Sequence, residues 1–323
     1  MSGIQTANGK AFEYACLLAL YNTLHKIEDI TIEDSPQMLT AKTLFESMSE
    51  QNKSELLRAA NAATRVIVRL EPQLQYPQNN IPLYLSIQPD SQGTKGDVRD
   101  VLCIRRQNQW QIGLSCKHNH HAVKHSRLSD TIDFGNEWFG IPCSQQYFNA
   151  VVPLFSELRS MRDNAQKTRA EVLWADIPNK AERYYIPILQ AFLDELNRLA
   201  ASNPSVPSDL INYLIGRYDF YKVITDDRHE TTRVEAINIA GTLNRPVDKH
   251  RSIVDIPRLK LPTRFYHTGF KPGSDNTIEV VCDEGWTISM RIHNASSKVE
   301  PSLKFDVNLI SLPGSIHAQV EPW

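Results

Sequence analysis

No two cysteines in this sequence stand at CxxC spacing, and the five present, Cys16, Cys103, Cys116, Cys143 and Cys282, are odd in number. Four of them sit inside apolar or strand-like runs, which argues against a disulfide framework and reads as reduced thiol in a cytoplasmic protein. No apolar stretch approaches the ~20 residues needed to span a bilayer, and the N-terminus lacks a basic segment followed by an apolar run. Neither a membrane span nor a secretory leader is therefore expected. Net positive charge is missing as well: 35 Lys and Arg against 37 Asp and Glu give a formal charge of −2 and a pI near 6.6. A chain so balanced does not coat any nucleic acid it meets, so binding DNA requires its basic groups to be gathered on one face. Internal repeats and low-complexity tracts are absent too.

What is present is an ordinary globular composition, 41% hydrophobic and 22% charged over 323 residues, enough for one elaborated domain or two packed together. Phe12, Cys16, Leu17, Leu20 and Leu24 recur at helical spacing and predict a buried helix over residues 8–26. Further helices are expected over 40–48 and 53–70, ended by Pro72, with a loop from Pro72 to Pro82. Strand-like runs follow at 83–87, 98–104 and 110–116, with a turn at 90–93 and a tight connection at 106–108. Ser144 is a plausible N-cap for the next helix, and others are expected over 180–201 and 208–215. Beyond Tyr218 short alternating runs at 234–243, 258–267, 277–283, 286–296 and 303–313 indicate a mostly β region. The expectation is an α/β core over 1–165, and a helical and β-rich region over 166–323.

The informative segment runs from Gly96 to His121. Side chains alternate faces along a strand, so Asp100 shares a face with Leu102 and Ile104, and Ser115 shares one with Lys117. If the two strands pair as a hairpin, the turn near Gln107 lies midway between Asp100 and Lys117 and brings them to the same end. A lysine beside carboxylates is unfavourable out of water unless charge balances charge, which a site holding a divalent cation and a phosphate provides. Phosphodiester hydrolysis needs a cation to neutralise developing charge, a water in line, and a group that helps deprotonate it. Aspartate oxygens suit Mg²⁺, and Lys117 would contact the phosphate. A surface hairpin with a solvated Asp and Lys satisfies the same spacings.

An Asp at a strand start, a hairpin, then x-Lys in the next strand resembles the PD-(D/E)xK nuclease core, a mixed sheet flanked by helices. The sequence departs from that pattern at Ser115, where an acid is usual and a hydroxyl cannot supply the charge. Asp97, three residues before Asp100, and Glu13 on the first helix are the candidates to supply it, giving Asp97, Asp100 and Glu13 as the expected metal set. For Glu13 a carboxylate favoured by the helix dipole is the alternative. The runs Ser115–Gly135, with Trp138 and the following IPCSQQYF, and Gly285–Ile310 resemble the HaeIII family of type II restriction endonucleases. The resemblance implies cleavage of double-stranded DNA at GGCC with blunt ends, alongside a protecting methyltransferase.

His118, Asn119, Lys124, His125 and Arg127, just after the expected catalytic strand, are candidates for phosphate and base contact, with a solvated loop as the alternative. The histidines His118, His120, His121 and His125 also suggest zinc or an HNH-type site, less well supported by spacing. Trp286, Ile288, Met290 and Ile292 alternate with Thr287, Ser289, Arg291 and His293, leaving one face free. Arg291, His293, Asn294, Ser297 and Lys298 are the candidate base readers, because Arg or Lys engages both guanine acceptors in the major groove; an edge strand's solvent face is the alternative. Tyr184–Tyr185 and Phe265–Tyr266 are expected in a core or interface. Cutting both strands of a symmetric site is most simply done by a homodimer. The rivals are a repair or recombination nuclease without short-sequence specificity and a DNA-binding protein with a decayed centre.

Overall fold

The structure is a computed structural model that describes residues 2–78, 81–94, 96–119, 126–169 and 171–323. Its strands are β1 (Ile30–Ile32), β2 (Leu83–Ile87), β3 (Val101–Arg105), β4 (Trp110–His118), β5 (Arg127–Leu128), β6 (Phe220–Asp226), β7 (Thr231–Ile237), β8 (Phe265–Phe270), β9 (Thr277–Cys282), β10 (Thr287–His293), β11 (Leu303–Ser311) and β12 (His317–Pro322). Its helices are α1 (Ser2–Leu24), α2 (Pro36–Glu46), α3 (Glu50–Leu70), α4 (Pro72–Gln75), α5 (Ser91–Thr94), α6 (Phe134–Phe139), α7 (Gln145–Thr168), α8 (Ile186–Ser202) and α9 (Val206–Ile215). No helix among the described residues is long and apolar enough to cross a membrane.

The chain forms two compact units. One contains Met1–His121, Gly216–Lys260 and Ser315–Trp323, the other Ala122–Ile215 and Leu261–Gly314. The linear division near residue 165 expected from sequence does not coincide with this one, because β6, β7 and β12 pair into the sheet that β1 to β4 begin.

The first unit is a seven-stranded mixed sheet in the order β1-β2-β3-β4-β6-β7-β12. Strands β2, β3 and β4 form an antiparallel meander, while β6 joins β4 in parallel. Helix α1 packs on β4 and α3 on β7. The apolar stripe read from sequence is the reason: Phe12, Cys16, Leu17, Leu20 and Leu24 are all essentially inaccessible. On β4 the residues Ile112, Leu114 and Cys116 join that core, so Gly113, Ser115 and Lys117 face the opposite side. Ser35 and Ser49 cap α2 and α3 by accepting the Met38 and Asn52 backbone N–H groups at 3.0 and 3.2 Å. The loop expected after Pro72 begins with one helical turn, since proline is tolerated at the first helical position, and the turn expected at 90–93 is the short helix α5.

The second unit holds helices α6 to α9 and an antiparallel sheet in the order β5-β11-β10-β9-β8. Ser144 caps α7 as expected, accepting the Tyr147 N–H at 3.2 Å. A π-helical turn at Ala181–Tyr185 precedes α8, where Pro187 has no N–H to continue an α ladder. Phe134, Trp138, Phe192 and Phe305 pack ring against ring and tie the helices to β11. Trp286, Ile288, Met290 and Ile292 are fully buried, as their alternation requires. The run 258–267 is strand only from Phe265, because Pro262 cannot donate to a ladder. Tyr184 and Tyr185 are buried, whereas Tyr266 is exposed beneath the Arg264 guanidinium. All five cysteines are buried and free.

The first unit buries an acid in its core. Glu71 is inaccessible; one oxygen accepts the Tyr221 hydroxyl at 2.6 Å and the Asn244 N–H at 2.8 Å, and the other has no partner among the described residues. Burial pushes its carboxyl from 4.5 up to about 7, against both hydrogen bonds. A folded value above the unfolded one means stability that is complete below pH 4.5 and lost as pH rises to about 7. Denaturant titrations will therefore show the wild type losing stability relative to Glu71→Gln over that interval, at up to about 1.4 kcal/mol per pH unit, and running parallel to it at higher pH. A difference independent of pH would contradict this.

Candidate active site

Asp100 stands immediately before β3, where the ladder already holds it on both sides. Its N–H donates to the Leu114 carbonyl at 2.7 Å, and its own carbonyl accepts the Gln88 N–H at 2.9 Å. Its Oδ2 accepts the Cys116 N–H at 2.6 Å and lies 3.9 Å from Lys117 Nζ. The hairpin thus brings Asp100 and Lys117 together at the end away from its turn.

Glu13 reaches the same place from α1. It is buried, and its carboxyl is pushed up to about 8, first by burial and then by the negative charge of Asp100, with Lys10 opposing. Burial likewise raises Asp100, against the Lys117 ammonium, the Cys116 N–H and Lys10. Lys10 Nζ is 3.0 Å from Glu13 Oε2 and also contacts Asp90. Burial would depress the Lys10 ammonium, but Glu13 and Asp90 together raise it. Two carboxylates, Glu13 and Asp100, and two ammonium groups, Lys10 and Lys117, therefore act on one another here.

Ser115 is buried on β4 and has Lys222 of β6 as its neighbour in register; Lys222 in turn faces Glu235 of β7. Burial lowers Lys222 to about 8, opposed by Glu235 and reinforced by Lys117. Lys10, Asp90, Lys222 and Glu235 were not singled out from the sequence. Lys10 carried one signal, its position one helical turn before Glu13; β6 is buried from Phe220 to Thr225 and shows no alternation to reveal it.

Asp97 lies elsewhere. Both its oxygens are taken by Arg99, at 2.8 Å to Nε and 2.7 Å to Nη2, and both side chains are buried. The Arg99 guanidinium stacks 4.1 Å from the Tyr218 ring centroid. Its stem crosses β4 over Gly113, where an added Cβ would come within 2.3 Å of Arg99 Cδ. Both oxygens of Asp97 are thus committed to the Arg99 guanidinium in this structure.

Among the expected DNA contacts, Lys124 and His125, with His120 and His121, fall outside the described residues. His118 Nε2 is 3.2 Å from Asp227, and Asn119 exchanges hydrogen bonds with Asp227 at 2.6 and 3.2 Å, so this pair clasps the β6–β7 turn. Arg127 binds Glu300 at 2.6 Å and Ser302 at 2.8 Å. On β10 the exposed Arg291 is 2.8 Å from Asp306, and His293 is 3.1 Å from the same carboxylate. Asn294 is buried and spends its amide on the Ser296 and Lys298 carbonyls, so it braces a loop that exposes Ser297 and Lys298. Lys298 pairs with Glu171 at 2.6 Å.

Residues 9–313 match the family model described as HaeIII restriction endonuclease. The chain is 39% identical over 324 residues to the type II restriction enzyme HaeIII of Haemophilus aegyptius, an alignment spanning 100% of this chain and 99% of that protein. No solved structure matches the chain.

Breaking a buried ion pair by neutralising one partner costs about 3–5 kcal/mol. Asp97→Asn will accordingly lower the melting temperature while leaving Mn²⁺ binding intact. A variant that melts normally but has lost Mn²⁺ binding would place Asp97 in the ligand set.

Proposed function

The chain belongs to the HaeIII restriction endonuclease family and is a site-specific restriction endonuclease, and from that premise we propose that it hydrolyses double-stranded DNA at GGCC, leaving blunt ends, at a Mg²⁺-dependent centre of PD-(D/E)xK type formed by Asp100, Lys117 and Glu13. The observation that carries the reading is the 3.9 Å approach of Lys117 to Asp100 across the hairpin, with Glu13 presented from α1. The order of helix, three-stranded meander and parallel β6 supports the same assignment.

The residues fit a hard divalent cation. Asp100 and Glu13 offer oxygen donors only; burial raises both, and the negative charge of Asp100 raises Glu13 further. No group of three or more His, Cys, Asp or Glu among the described residues is arranged to hold a metal, yet Mg²⁺ keeps several waters and requires only one or two carboxylates. When bound, it supplies concentrated positive charge against the negative charge developing on the phosphate. Asp100 and Glu13 hold it, and Glu13 provides the charge that Ser115 cannot. Lys117 presents its ammonium to the scissile phosphate and favours proton loss from the attacking water. The water oxygen joins phosphorus, one P–O ester bond breaks, and the leaving oxygen gains a proton.

In the second unit Arg291, steadied by Asp306, has the exposed fork that engages both guanine acceptors, with His293, Ser297 and Lys298 beside it. Asn294 serves as the loop brace. Arg127, Lys124 and His125 contribute positive charge toward phosphate, and His118 and Asn119 hold the strand end. A homodimer provides two centres for the two strands, and a methyltransferase protects the host's own sites. Ser115 favours one other reading, a DNA-binding protein whose centre has decayed.

Plasmid digestion with Mg²⁺ separates these: discrete fragments ending within GGCC are expected, and intact plasmid would leave the decayed reading. Lys117→Ala and Asp100→Asn should each reduce cutting by at least ~10²-fold, and Lys117→Ala should keep its affinity for a GGCC duplex. In sedimentation on that duplex two subunits are expected to travel together; a monomer would overturn the dimer.

A further inference from the structure

Glu13 and Asp100 already have a cation beside them. Lys10 projects from α1 one turn before Glu13, with its Nζ 3.0 Å from Glu13 Oε2 and in contact with Asp90 Oδ1, and its charge also reaches Asp100. The two acceptors differ in kind. The Glu13 side chain is 9% exposed, whereas that of Asp90 is 78% exposed. One ammonium therefore bridges an interior carboxylate and a surface one.

Without Lys10, Glu13 would keep the repulsion of the Asp100 charge and lose the cation paired with it, and like charges in a poorly solvated site repel strongly. A lysine suits this place because its charge is compact and its stem flexible, so the ammonium can leave one acceptor while keeping another. An arginine fork would be fixed more rigidly. The geometry points to Lys10 as the resident counter-ion of the centre, neutralising Glu13 while no divalent cation is present and withdrawing to Asp90 when one takes Glu13 and Asp100. This inference rests on the assignment of those two carboxylates as metal-holding residues above. It makes Lys10 a positioning residue that sets how tightly the centre takes its metal, because the entering cation must displace an ion pair.

The test is calorimetric titration of the full-length protein with Mn²⁺ alone, without DNA. Lys10→Met should bind Mn²⁺ about tenfold more tightly than the wild type, the scale of losing one partly buried ion pair. A gain in affinity cannot come from damage to the fold. In a Glu13→Gln background the same substitution should change affinity by less than ~2-fold, because the competition is for Glu13. Lys10→Gln, which keeps a donor to Glu13 without the charge, makes the same comparison if the methionine variant melts early. Unchanged or weaker binding in Lys10→Met overturns the inference. So does an equal gain in both backgrounds, which would mark a general field effect. Absence of Mn²⁺ binding in wild type and variant alike would bring down the metal assignment and this inference with it.

Discussion

Opposite charges kept in balance away from water are the constraint on which the candidate centre depends. Glu13 and Asp100 are both driven toward their neutral forms by burial, and Lys10 and Lys117 draw them back. None of the four is tolerable alone, since an unpaired charge in a poorly hydrated site costs several kcal/mol. The surrounding structure answers to that balance. The Cys116 N–H fixes one oxygen of Asp100, and α1 must lie on β4 for Glu13 to arrive at all. The adjoining Lys222 and Glu235 on β6 and β7 repeat the same arrangement one strand further along.

The parts of this that were readable in the sequence are the parts governed by short periodicities. The period of two along β3 and β4, with a turn midway, was enough to expect Asp100 and Lys117 at one end of a hairpin. The 3.6-residue stripe of α1 located Phe12 to Leu24 in a core, whereas Glu13 became a candidate only through the resemblance to the nuclease core. The alternation through Trp286 to Ile292 identified the buried face of β10. What short periodicities do not show is the partner a side chain takes: Asp97 stands three residues from Asp100, but Arg99 is closer still and takes both its oxygens. Asn294 looks like a base reader, yet its amide completes the turn it sits in.

Other features were invisible for reasons of topology. Strand β6 runs buried from Phe220 to Thr225, and a strand covered on both faces carries no alternating signature. Its place beside β4, and hence the meeting of Ser115 with Lys222, arises from a pairing between residues about a hundred positions apart. The boundary between units shared this problem. A single cut near residue 165 is the natural expectation for a chain read from one end, but the sheet recruits strands from three separate stretches.

That distant pairing bears on how the molecule comes into being. Strand β4, with Lys117 on it, is complete by residue 118, but its parallel neighbour is β6, which starts at Phe220. Until that neighbour is synthesised, one side of β4 is an open row of N–H and C=O groups, the condition under which strands recruit the wrong partner. Long-range parallel pairing also closes slowly, because chain entropy is lost before contacts repay it. The nascent protein therefore spends the making of roughly one third of its length with β4 at an unguarded edge, which ties the yield of folded protein to crowding and temperature during translation.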